Sequence, residues 1–357
     1  MAAPPVLIEV VRDGYVESVH RGSIVLLEPA GVLTAGTADD PVFPRSALKP
    51  LQSVAMLDAG FIGRGASLAL SMASHDGEAM HVDGARATLA AAGLDESALQ
   101  CPAALPGSQT ALIDWVRGGG SADPICHNCS GKHAAMLATC VAAGLPLPSY
   151  RDPAHPLQQQ IRDRIEVLTG VEVSAVAVDG CGAPAFAVTL TGLATAFARL
   201  ASAGSGPSSM VANAMRRHPL LIGGTTRAAS LAMAAVPGLI CKDGAEGVWA
   251  AALPDGRAFA AKFEDGGARA LPVLLAAVLA RWAAEPSQGA AEPSHSAAEP
   301  GRGAAEPGHG AAEPGQGAAE PSRWAAELSW GEVPVLGGGV PVGSLRPSPW
   351  LAELLSP

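Results

Sequence analysis

The chain has 357 residues, 48% of them hydrophobic and only 16% charged, with a formal net charge of −10. That is ample apolar material for a packed core, which excludes a wholly disordered polymer. The acidic balance excludes the clustered basic footprint that nucleic acid requires and disfavours anionic membrane surfaces. The start, MAAPPVLIEVVRDG, has no basic segment leading a long apolar one, and no stretch approaches 18 apolar residues, so the expected location is cytoplasmic and no membrane partner is expected. Six cysteines, at 101, 126, 129, 140, 181 and 241, are too sparse for a disulfide framework and fit a reducing compartment.

In chain order, PPVLIEVVRDGYVESVHRGSIVLLEPAGVLTAG reads as antiparallel strands with turns at Arg12-Asp13-Gly14 and Pro29-Ala30-Gly31. PVFPRSALKPLQSVAML follows, residues 41–57, and contains Ser46-Ala-Leu-Lys49. Spacing of three puts both side chains on one face of a helical turn. A serine hydroxyl becomes a nucleophile only when a base takes its proton, and a lysine can do so where desolvation or a neighbouring cation favours the free amine. The same four residues also describe an ordinary capped, solvated helix start. Pro50 sets the regular helix to begin near itself, leaving Ser46 to Lys49 on the turn that leads into it, close to free N–H groups and the positive end of the dipole.

Helical patterns run around 51–59, 79–92, 131–143, 157–168, 192–203 and 208–217. Between the first two lies SMASHDGEAMHVDGA, with Ser74, His75, Asp76, Glu78 and His81 behind the apolar run 66–73. Asp76 and Glu78 suit caps of the following helix, and Ser74 and His75 a pocket wall. ICHNCSGKHAAMLATC packs Cys126, His127, Cys129, Lys132 and His133 ahead of an apolar helix. Its C-x-x-C spacing favours Cys126 and Cys129 with His133 as metal ligands; the competing reading is small buried thiols. AVDGCGAP sets Cys181 in a tight turn after a strand run.

CKDGAEG places Lys242 on a strand, either as a solvated edge charge or as the K-x-G lysine that completes an S-x-x-K site in penicillin-recognising serine acyltransferases. Leu253-Pro-Asp-Gly256 marks a hairpin, ARALPVLLAAVLARWAAE a helix, and VPVLGGGVPVGSLRP a return to strand. Between the last two runs a seven-residue period, AAEPSQG to AAELSWG, fills 283–331 and carries seven Glu against two Arg. Proline in nearly every copy and no large apolar pair per heptad exclude a coiled coil, so a disordered insert in a surface loop is expected.

RSALKP, ASHDGE, CSGKH, VDGCGAP, HPLLIGG and KDGAEG…KFEDG, in that order, resemble the rhizobial-type, thermolabile L-asparaginase II family. The resemblance implies an α+β fold, an α/β sandwich whose antiparallel sheet is flanked by helices as in serine β-lactamases and serine-dependent glutaminases. It divides the chain into an asparaginase domain, 1–282 with 332–357, and the insert. It implies hydrolysis of L-asparagine by a homodimer, with Ser46–Lys49 and Ser74–Lys242 as catalytic pairs and Arg45, His133 and Asp179 in the substrate pocket. It also implies zinc on Cys129, Lys132 and Cys181, in a tuning or structural role, which replaces Cys126 and His133 of the spacing argument. Rival expectations are an amidase of the same kind acting on glutamine or a β-lactam, and a non-catalytic zinc-binding scaffold whose repeat recruits partners.

Overall fold

The computed structural model of the chain describes residues 3–284 and 328–356. Strand β1 (Val6–Arg12) turns through Asp13 and Gly14, both at positive φ, into β2 (Tyr15–Glu28). This is the backbone that a two-residue hairpin demands and that Asp-Gly supplies. The fourteen-residue β2 serves two neighbours in succession: its first half pairs with β1, and its second, from Gly22, pairs with β8 (Ala258–Phe263) and with β3 (Gly31–Ala35). Its exposure changes at the same point, from exposed to buried.

The main sheet has the order β6-β7-β8-β2-β1-β10-β9 with β3 attached to β2, and every pairing is antiparallel. Strands β6 (Ile240–Gly244) and β7 (Val248–Ala252) form one flank; β9 (Pro334–Gly337) and β10 (Val340–Pro347) form the other. β7 is buried along its whole length and packs on helix Leu190–Ala201 and on the 3-10 turn Arg45–Leu48. Its Trp-Ala-Ala-Ala run faces Ala258 to Ala261 of β8, and such small side chains let a helix layer approach closely.

The helices are α1 (Lys49–Asp58), α2 (Ala66–Ser71), α3 (Ala79–Ala91), α4 (Gln109–Arg117), α5 (Ser130–Ala143), α6 (Pro156–Thr169), α7 (Leu190–Ala201), α8 (Gly206–Arg217), α9 (Pro219–Ile222), α10 (Ala228–Ala235) and α11 (Leu271–Ala284). A short terminal helix spans Pro349–Leu354. α7 packs on β2, β7 and β8, α11 on β1 and β10, and α10 on β6, while α1 is surrounded by α5, α6 and α8. The architecture is thus the expected α+β one. The six helices expected from periodicity are present within a few residues; α4 and α10 carried no expectation, and the single expected last strand is the β9–β10 hairpin.

At the insert, α11 continues to Ala284, and Leu328–Gly331 forms a 3-10 turn packed on α11 and α10. The outermost residues of 283–331 therefore belong to the folded part, and the expectation of disorder for the rest lies outside the described residues. No helix among the described residues is long and apolar enough to cross a membrane.

Pro50 lies where expected. Arg45–Leu48 is a 3-10 turn that runs directly into α1, with proline in the first helical turn, where its missing N–H costs nothing. β6 presses against that 3-10 turn at Gly244, where an added Cβ would sit 2.1 Å from the Pro44 carbonyl oxygen. Gly244→Ala should therefore push the Arg45–Leu48 turn away from β6 and lower stability by about 1–3 kcal/mol, as overpacking does. A urea midpoint equal to that of the wild type would show that turn and strand can part at no cost.

Candidate active site

Two loops, two helix starts and strand β6 bring the chemistry together. Segment 74–78 follows α2, the 3-10 turn of Ser46 precedes α1, Cys129 caps α5, and the turn Asp179–Ala183 joins the separate hairpin β4 (Ala175–Val178) and β5 (Pro184–Ala187). Backbone bonds hold 74–78 from both sides: Ser74 and Asp76 donate to the carbonyls of Ile222 and Gly223, and His75 donates to that of Asn128.

Three lysines of the site are buried, Lys49 and Lys132 at 1% exposure and Lys242 at 0%. An ammonium out of water needs an acceptor for each N–H or surroundings that favour the amine. Lys49 has three acceptors: the Ala73 carbonyl, Ser74 Oγ at 3.0 Å and Cys129 Sγ at 3.1 Å. It thus joins Ser74 rather than Ser46, whose half-buried hydroxyl makes no hydrogen bond among the described residues. Lys242 donates to the Asp243 carbonyl at 2.8 Å and to Asp243 Oδ1 at 2.7 Å. Burial draws Lys242 below the usual lysine range; Lys49 and Arg227 repel the ammonium, and Asp243 opposes them. It is therefore no solvated edge charge, and it makes no hydrogen bond to Ser74.

Lys132 donates to Cys181 Sγ at 3.1 Å. The neighbouring Cys129 thiol, with the Lys132 ammonium behind it, holds Cys181 far below the usual thiol range and leaves Cys129, whose own S–H donates to Asn128 Oδ1 at 3.2 Å, well above it. Burial alone would lower Lys132, but the Cys181 thiolate raises it. His133 Nδ1 lies 2.6 Å from the Tyr150 hydroxyl, which accepts the Gln100 N–H at 3.2 Å. Tyr150 therefore donates to Nδ1, and the neutral ring carries its proton on Nε2. Burial holds His133 down to about 4. Nε2 has no partner at hydrogen-bond geometry, although it lies close enough to Cys181 to favour the thiolate there.

Among the described residues no three His, Cys, Asp or Glu side chains meet in a metal-holding group. The Cys129 and Cys181 thiols and the Lys132 amine, already directed at Cys181, nevertheless form a donor set suited to a soft, tetrahedral cation. Cys126 takes no part; it is buried in the core, its thiol pushed up to about 11 by burial.

Arg45 has φ of +54°, left-handed backbone that a residue other than glycine adopts only under constraint. It donates Nε to Asp179 Oδ1 at 2.6 Å, and Asp179 also accepts the Gly180 N–H at 2.8 Å. A cation and an anion thus stand side by side at the rim, 25% and 12% exposed. Glu78 caps α3 in a reciprocal box with His81, as expected. Asp76 is no cap; it accepts Arg227 Nε at 2.8 Å. His75 Nε2 lies 3.0 Å from Ser130 Oγ, and the His75 ring stacks on His81 at 4.8 Å. Arg227, Asp243, Ser130 and Tyr150 carried no sequence expectation.

Among solved structures the chain is similar to native Mglu crystallised in 4.3 M NaCl, at 17% identity and a TM-score of 0.37, over 69% of this chain and 56% of that one. It is similar to Mglu in its tris and glutamate form at 17% identity and TM-score 0.38, over 76% and 61%. It also matches EstCE1, described as a hydrolase with promiscuous acyltransferase activity, at 12% identity and TM-score 0.31, over 72% and 88%. The chain thus spans less than two thirds of the length of these Mglu chains. No protein of curated function matches. The L-asparaginase II family model matches residues 8–313, most of the chain and all the residues of the site just described, and the chain belongs to that family of asparaginase-type amidohydrolases.

Proposed function

We propose that the chain hydrolyses the side-chain amide of L-asparagine to L-aspartate and ammonia through an ester on serine. The observation that carries this reading is the buried Lys49 amine, hydrogen-bonded to Ser74 within a turn that also presents the free hydroxyl of Ser46. Ser46 attacks the amide carbon. It stands just before the N-terminus of α1, where the dipole favours the negative charge developing on the carbonyl oxygen. Its proton passes to the Lys49–Ser74 pair and on to Lys242, whose burial favours the neutral amine. The same chain returns the proton to the departing nitrogen, which leaves as ammonia, and water cleaves the aspartyl ester.

Arg45 and Asp179 fit the two ends of an amino-acid zwitterion, the guanidinium taking the α-carboxylate and the carboxylate the α-ammonium. His133, locked by Tyr150, fills the wall behind them. Cys129, Lys132 and Cys181 would hold zinc, which when bound fixes the thiolates and adds positive charge near the amines without serving as the hydrolytic centre. A cytoplasmic homodimer completes the reading.

Ser46→Ala should lower kcat/KM for asparagine by a factor on the order of 10³ or more and abolish a serine ester trapped by mass spectrometry; wild-type-like ammonia release would assign the nucleophile elsewhere. Comparing asparagine with glutamine and a chromogenic β-lactam tests the substrate.

Zinc should be present by atomic emission in the purified chain and lost in Cys181→Ala. Its removal by a chelator should raise KM more than it lowers kcat, whereas lost turnover at unchanged affinity would place the metal in the chemistry. Deleting 285–327, which spares α11 and the 3-10 turn packed on it, should leave turnover within about twofold, since loop length is thermodynamically cheap. Loss of turnover would tie the repeat to the site.

A further inference from the structure

The loop between α9 and α10 supplies a cation that no step proposed above uses. Besides the backbone bonds from Ser74 and Asp76, Thr225 donates both its N–H and its hydroxyl to Glu78 Oε1, each at 2.9 Å. Gly224, at φ of +141°, permits the approach, since an added Cβ would sit 2.9 Å from Glu78 Oε1 and 3.2 Å from Asp76 Oδ2. The loop is thereby fixed to the segment that carries Ser74. At its end Arg227 donates Nε to Asp76 Oδ1 at 2.8 Å, and its NH1 lies 3.7 Å from Asp243 Oδ2. Asp243 accepts Lys242 through its other oxygen at 2.7 Å. One guanidinium therefore stands between the carboxylate two residues past Ser74 and the carboxylate next to Lys242.

We propose that Arg227 is a positioning residue for Ser74 and Lys242: its guanidinium clamps the loop of one to the strand of the other and divides a carboxylate that Lys242 would otherwise hold alone. The charged groups facing Lys242 are Asp243 on its own strand, Lys49 from α1 and Arg227 from the loop before α10. Asp243 is kept ionised: burial would raise it, but Lys242 and Arg227 hold it at about 2. Loss of Arg227 then acts twice in one direction. The undivided carboxylate favours the Lys242 ammonium, and a repelling charge is gone, so Lys242 gives up its proton at higher pH. Loss of Asp243 acts in the opposite direction. A merely structural contact would not produce two shifts of opposite sign.

The inference rests on the amidase reading for its kinetic consequence, so one arm of the test is independent of substrate. Full-length protein labelled with 13C at lysine Cε is titrated by NMR, with the Lys242 resonance assigned by its absence in Lys242→Arg. Compared with wild type, Arg227→Gln should titrate about one pH unit higher, Asp243→Asn lower, and Arg227→Lys close to wild type. Arg227→Met, also uncharged, repeats the first arm if Arg227→Gln does not fold. In the second arm the rising limb of kcat/KM against pH, followed by ammonia release from asparagine, should move in the same order while the plateau above it is kept within about threefold. A folded Arg227→Gln in which Lys242 titrates as in wild type overturns the proposal, as does a loss of activity by one factor at every pH. If wild type releases no ammonia from asparagine, the amidase reading fails and the NMR arm still decides the role of Arg227.

Discussion

Three lysine amines lie inside this molecule, and the solvation that each must replace organises the site. Withdrawing an ammonium from water costs several kcal/mol unless hydrogen bonds and opposite charge are supplied. Lys49 therefore requires the end of α2, the Ser74 hydroxyl and Cys129 to meet at one point, and Lys132 requires the Cys181 turn to reach the first turn of α5. Lys242 takes the carboxylate of its chain neighbour. Segments 46–49, 73–76, 129–132, 179–183 and 242–243 are thus tied together by charge as much as by the apolar core beneath them. The three partners differ in kind: neutral acceptors and a thiol for Lys49, a thiolate for Lys132, a carboxylate for Lys242. At Lys242 burial outweighs the partner and favours the amine, whereas at Lys132 the thiolate outweighs burial.

The fold was legible where it depends on local chemistry. Ala- and Leu-rich stretches of helical period, Asp-Gly turns and Pro50 mark their elements without help from tertiary contacts. α10 escaped because its apolar residues are too continuous to show a face, and α4 because its amphipathic stretch is only nine residues long and is followed at once by three glycines. The site was legible in its residue types and not in its pairings. S-x-x-K spacing joins Ser46 to Lys49, but the lysine stem runs inward past the turn and finds Ser74 from another segment. C-x-x-C spacing joins Cys126 to Cys129, yet the thiols that meet are 129 and 181. Arg227 ends a Thr-Thr loop with nothing nearby in sequence to mark it; its two carboxylates lie 151 and 16 residues away.

The spliced segment enters at a point the core tolerates. α11 ends at Ala284, and the chain is described again at Leu328, where its 3-10 turn lies back on α11 with Gly331 against Ala276. Eight residues of helix separate Ala276 from Ala284, a rise of about 12 Å. The two ends therefore lie on one helix, which packs on β1 and β10, whereas Lys242 is on β6 at the other end of the strand order. The 49 residues of the period add half of the net charge.

The two hydroxyls differ in a way that separates their roles. Ser74 is 5% exposed and already accepts from Lys49, so its own proton is the one free to move, toward whichever group will take it. Ser46 is more open, is bonded to no described group, and follows Arg45, whose left-handed backbone turns the guanidinium toward Asp179 instead of continuing the helix inward. Held this way, Arg45 sets a carboxylate-binding cation one residue from a free hydroxyl. On the proposed reading, the left-handed backbone at Arg45 lets its guanidinium reach Asp179 from a position one peptide unit before the serine that attacks.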